Sequence, residues 1–163
     1  MPDVYDATIT GAADGLPDFD YILKSYSGIH YSGLTSHLRF QFPRQNDDIK
    51  GVTDRPNGEI ILRKNGFELY RGTPESVDFF NGASASTFSI SATYLTTETT
   101  PKTVTAQVEL IDTDYDGKRI FKLPGYHDFQ PLDSLFYNSE TIEIDQVRII
   151  INAESTYLKL REL

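Results

Sequence analysis

Apolar and polar residues alternate along much of this chain, most clearly in the run from Gly58 to Tyr94. Ile60-Ile-Leu62 and Phe67-Glu-Leu-Tyr70 flank Asn65-Gly66, and Phe88, Ile90, Ala92 and Tyr94 then alternate with Ser and Thr. Asn-Gly between such runs predicts a two-residue hairpin, because both turn positions need positive φ and these residues tolerate it. The register that follows pairs Lys64 with Phe67, Arg63 with Glu68, Leu62 with Leu69 and Ile61 with Tyr70. It puts Ile60, Leu62, Phe67 and Leu69 on one face. It also sets Arg63 against Glu68 on the other, a cross-strand pair worth about 0.2–1 kcal/mol.

Further strands follow from the same logic. Leu34, Leu38, Phe40 and Phe42 fall at even positions of a half-buried strand that Pro43 ends. The polar stretch 44–54, with Ile49 and Val52 three apart, allows at most one short helix, and Pro56-Asn57-Gly58 is a turn. A second hairpin is expected from Val104–Leu110 and Arg119–Leu123, closed near Asp116-Gly117, with Asp114 opposite Arg119. There Val104, Ala106, Val108 and Leu110 share a face with Phe121 and Leu123. The third joins Thr141–Ile151 to Tyr157–Leu160 through a turn at Asn152–Ser155. Its period slips between Ile144 and Val147, which predicts a bulge near Asp145-Gln146.

Residues 1–33 show no sustained period and are broken by Gly11, Gly15, Pro17, Gly28 and Gly33. They read as an irregular N-terminal arm or extended loop with one short strand near Tyr21–Leu23. Residues 34–163 read as the folded domain. The expected class is mainly β: an antiparallel β-sandwich or small barrel of about seven or eight strands.

Composition narrows the functional classes. A net charge of −9, with the basic residues dispersed, argues against direct nucleic-acid binding. The chain has no cysteine, hence neither a disulfide framework nor a thiolate metal site. No segment approaches the roughly 18 apolar residues of a membrane span. The acidic start, Met1-Pro-Asp-Val-Tyr-Asp6, lacks the basic, then apolar pattern of a signal peptide. Abundant Tyr and Phe without Trp suit strands and interfaces better than a sugar-stacking platform.

Candidate chemistry is sparse. Asp112, Asp114 and Asp116, followed by Gly117, match the opening of a calcium loop, in which alternate carboxylates converge on a hard cation. Position twelve of that loop is Leu123 where a bidentate Glu belongs, and an Asp-Gly hairpin tip accounts for the same residues. His30, His37 and His127 are too far apart in sequence to form a local metal pair, and His37 falls on the polar face of its strand. There is neither a Gly-x-Ser-x-Gly elbow nor a phosphate-binding glycine loop, so no enzymatic role is expected. The arm carries Tyr5, Phe19, Tyr21, Tyr26 and Tyr31, aromatic anchors of the kind interfaces use; packing on its own domain is the other reading.

The order of features resembles virion tail proteins of long-tailed bacteriophages. Leu38-Arg-Phe-Gln-Phe-Pro43 leads through a polar segment to Asp54-Arg55-Pro-Asn-Gly58-Glu-Ile-Ile-Leu62, and the returning strand ends in Arg71-Gly72. Glu75-Ser-Val-Asp-Phe79 precedes a small-residue loop and Phe88-Ser-Ile-Ser-Ala92; Lys102-Thr-Val-Thr105 and Gly117-Lys-Arg119 follow. The chain closes with Ile144-Asp-Gln-Val-Arg-Ile-Ile-Ile-Asn152, Ser155-Thr-Tyr157 and Glu162. This plan is similar to the barrel modules of tail-tip hub proteins. The resemblance implies a structural virion component of the tail tip or baseplate, made in the bacterial host cytoplasm. It also implies a ring built from copies of the chain and neighbouring tail proteins, and it offers no catalytic residues. The alternative is a carbohydrate- or ligand-binding β-sandwich module, stabilised by calcium at Asp112, Asp114 and Asp116.

Overall fold

The computed structural model describes residues 3–10, 19–23, 25–31, 35–43, 58–81, 86–95 and 100–163, and every regular element among them is a strand. In chain order these are β1 (Tyr5–Ile9), β2 (Phe19–Ile22), β3 (Ser25–Tyr31), β4 (Thr35–Pro43), β5 (Ile60–Lys64), β6 (Phe67–Asn81) and β7 (Ser86–Leu95). Then come β8 (Thr103–Val104), β9 (Glu109–Thr113), β10 (Arg119–Pro124), β11 (Ser134–Tyr137), β12 (Glu140–Ile151) and β13 (Thr156–Glu162). The mainly antiparallel β class holds, but thirteen strands replace the expected seven or eight. The short helix expected within 44–54 lies outside the described residues.

The chain divides into two units, residues 1–26 with 38–94 and residues 27–37 with 95–163. In the first, hydrogen-bonded strands run in the order β2-β1-β5-β6-β7-β4. Much of the surplus over the expected count comes from the first 33 residues. There β1 pairs with both β2 and β5, placing Ala7 opposite Leu62 and Ile9 opposite Ile60. Strands of four or five residues between glycines leave too short a period to read, yet Ala7 and Ile9 are fully buried.

The Asn65-Gly66 turn forms as expected, with φ of 51° and 83° and Lys64 opposite Phe67. The register holds through Arg63–Glu68 and then slips, so that Leu62 faces Tyr70 instead of Leu69 and Ile61 faces Arg71 instead of Tyr70. The bulge at Leu69 turns Tyr70 into the core, and Phe67, beside the turn and opposite Lys64, is 77% exposed, against the expectation that Phe67 and Leu69 share the buried face. Glu68 takes Arg71, not Arg63, as its hydrogen-bonded partner, through Nε at 3.1 Å and Nη2 at 2.9 Å.

Strand β4 alternates as read, burying Ser36, Leu38, Phe40 and Phe42 and exposing His37. The strand expected to end in Arg71-Gly72 instead runs on to Asn81, and Gly72 lies within β6 at a close approach. Arg71 points outward to Glu59 and Glu68, while a Cβ at Gly72 would meet the Thr93 carbonyl oxygen at 3.2 Å and Leu38 at 3.1 Å.

The second unit is built on β3-β12-β13-β10-β9, with β11 against β12 and β8 parallel to β11. The third hairpin forms in register, and its bulge falls between Ile144 and Gln146 as the slipped period predicts. The second differs from expectation. Val104 belongs to the separate strand β8, and β9 starts only at Glu109. The turn, closed by the Asp114 amide on the Lys118 carbonyl, sets Arg119 opposite Thr113, not Asp114, and a bulge at Ile111 then brings Leu110 opposite Phe121. Leu110 and Ile111 are exposed, while Phe121 and Leu123 are buried with Ile144, Val147, Ile149, Leu158 and Leu160. Buried Asp133 fastens β8 to this core: its carboxylate accepts the Lys102 and Gln130 amides, each at 2.9 Å.

Candidate functional site

Alternation along the second unit's strands decides which side chains face outward. Leu158 and Leu160 point into the core, so Tyr157, Lys159 and Arg161 lie on the opposite face of β13. Register extends that face sideways. Arg161 lies between Ile120 of β10 and Gln146 of β12, and Lys159 lies between Lys122 and Arg148. Between these rows and Ile111 of β9 runs a groove of about 320 Å³.

One end of the groove is a charge network. The Arg161 guanidinium donates to Asp114 through Nε at 2.5 Å and to Asp145 through Nη1 at 2.7 Å, and Nη2 reaches Asp116 at 3.4 Å. The hydrogen bond to Arg161 is the main reason the Asp114 carboxyl is held below its usual range, with backbone donation from Lys118 and Asp116 adding to it. Glu162 is pulled down to about 2, chiefly by Arg119, which it binds through Nε at 3.0 Å and Nη2 at 2.9 Å. Arg119 also binds Glu140. These networks tie the β9–β10 turn to the C-terminal strand.

The three aspartates of the calcium-like motif are therefore placed differently from ligands of one ion. Asp114 and Asp116 turn to Arg161, while Asp112 accepts the amide of its neighbour Thr113 at 2.8 Å. Both oxygens of Asp114 are engaged, Oδ1 by two backbone amides and Oδ2 by Arg161. Among the described residues no group of three His, Cys, Asp or Glu side chains is placed to hold a metal ion.

The other end is cationic. Lys122, Lys159 and Arg148 stand directly opposite one another across β10, β13 and β12. Lys122 lies 4.7 Å from the centre of the Tyr157 ring. Among the described residues neither Lys159 nor Arg148 has an ion-pair partner. Hairpin-by-hairpin reading missed this row because it depends on the β10–β13 pairing, which no turn signals.

The aromatic residues of the N-terminal segment are spread over three strands and both units. Tyr5 is half-buried on β1, and Phe19 and Tyr21 lie on β2. Tyr26 is buried in the first unit, edge-on to Phe40 with centroids 5.0 Å apart and stacked on Tyr70 at 6.5 Å. Tyr31 ends β3, in the second unit. His30, on the same strand, is buried, and desolvation pushes its imidazole down to about 4.

No protein-family profile matches the chain, and no curated protein gives a significant sequence match. Solved structures do match in fold. A tail protein from Neisseria meningitidis MC58 superposes with a TM-score of 0.62 at 7% identity, covering 99% of this chain and 96% of that one. The 43 kDa tail protein of prophage MuSo2 from Shewanella oneidensis gives a TM-score of 0.58 at 5% identity, covering 97% and 96%. The fold of this chain is thus similar, from end to end, to that of two tail proteins.

Proposed function

We propose that this chain is a non-enzymatic structural component of a bacteriophage tail, assembled as a ring in the tail tip or baseplate with copies of itself and neighbouring tail proteins. The observation that carries the reading is the whole-length fold match to tail proteins, which extends over both units. The charge networks support it. Arg119 and Arg161 spend their hydrogen bonds joining strands to one another, which is scaffold work. On this reading the protein is made in the bacterial host cytoplasm and resides in the virion tail.

The test is to label particles of the phage that encodes the chain with an antibody against it and view them by negative-stain electron microscopy. Label confined to the distal tip supports the proposal. Label along the tube would reassign the chain to another tail part. Absence from purified particles would reject the virion role and favour the sugar- or ligand-binding module.

A further inference from the structure

The row formed by Lys122, Lys159 and Arg148 sits badly in an isolated subunit. Directly opposed side chains on neighbouring strands have Cβ atoms about 5 Å apart, and like charges so placed destabilise the sheet. Lys159 has a cation on each side. Glu109 lies opposite Lys122 at the outer end of the row, and Arg161, in the next row, is already matched by three aspartates. The chain has 24 acidic residues against 15 basic ones, yet none of the described acids pairs with Lys159 or Arg148. Beside the row lies the groove, whose lining includes the exposed Ile111 and so adds apolar surface.

We infer that this face docks an acidic surface of a second copy of the same chain, with the groove taking an apolar side chain at its centre. Charge complementarity selects the occupant. Copies carrying −9 each repel unless a cationic face of one meets an acidic face of the next. Exposed Glu143 and Glu154, which have no ion pair among the described residues, are of the kind required. The contact inferred is heterologous, the cationic face of one copy on the acidic face of the next, as the ring reading requires. Heterologous contacts close into rings or run on as stacks. The inference rests on the ring-subunit reading and adds its contact surface.

The test is solution mass by light scattering over a wide concentration range, for the full chain and for Lys159→Glu, with melting temperature followed in parallel. The substitution gives the row alternating signs, so the expected result is a higher melting temperature together with assembly shifted to roughly tenfold higher concentration or more. High salt should weaken assembly of the unmodified chain in the same way. If the unmodified chain assembles and Lys159→Glu assembles equally well, the docking face lies elsewhere while the ring reading stands. If the unmodified chain stays monomeric throughout, the second copy is rejected as occupant and the ring reading falls with it. Salt-sensitive binding of a single-stranded oligonucleotide that Lys159→Glu abolishes, without any assembly, would reassign the face to nucleic acid.

Discussion

Ser139 occupies a conformation that suits glycine. It follows Asn138 in the two-residue turn between Tyr137 and Glu140, and both have positive φ, 48° at Asn138 and 67° at Ser139. A left-handed backbone costs a residue with a Cβ about 1–2 kcal/mol, partly offset by the greater chain entropy that glycine loses on folding. Ser139→Gly should therefore stabilise the protein by roughly 0.5–1 kcal/mol, read from its urea midpoint. An unchanged midpoint would mean that the turn changes type. His30 makes a second residue-scale prediction, now in pH. Burial lowers its folded pKa from 6.5 to about 4, so the unfolded chain binds the proton more tightly between those values. The stabilising effect of a neutral His30 is complete above pH 6.5 and is lost as pH falls toward 4, roughly 3 kcal/mol in all. Glu162, lowered from 4.5 to about 2, loses its contribution only in that lower window. His30→Gln should accordingly flatten the stability profile between pH 6.5 and 4 and leave the more acidic limb in place. A profile as steep as that of the unmodified chain would place the titration elsewhere.

At the scale of elements, what the sequence reveals depends on the contrast between neighbouring residues. The bulge at Asp145 could be read because a polar pair interrupts a run of isoleucines and valine. The bulges at Leu69 and Ile111 could not, because each lies in an apolar pair, Leu69-Tyr70 and Leu110-Ile111, in which either residue could face the core. Strand β1 was invisible for another reason: its five residues are held by β5, which lies beyond a long intervening stretch of sequence. The candidate site was half legible in the same sense. The aspartates stand out as a motif, but the guanidinium that claims Asp114 arrives from 47 residues away. This geometry makes a prediction about calcium. The unmodified protein should melt at the same temperature in calcium and in a chelator, since Arg161 already neutralises the carboxylates. Arg161→Ala should melt lower and regain part of the loss in calcium, because Asp114, Asp116 and Asp145 are then left with their charges unopposed. A calcium-dependent rise in the unmodified protein that Asp114→Ala removes would instead restore the ligand-loop reading.

The whole molecule is organised by crossings that no hydrophobic period marks. The chain passes between the two units after residues 26, 37 and 94, so β3 and β4 each contribute to both. A cut after residue 94 separates residues 95–163 from residues 27–37, which belong to the same unit. Without them β12 loses its β3 neighbour and becomes an open edge rich in isoleucine, a template for aggregation. Residues 95–163 expressed alone should therefore fail to reach a native near-ultraviolet dichroism spectrum and should aggregate, although most of that unit's strands are present. Co-expression with residues 1–94 supplies β3 and should return a soluble, folded complex of the two fragments. A monomeric, cooperatively melting 95–163 fragment would show that β3 is dispensable to the second unit. The expected dependence would instead make residues 27–37 a covalent tie.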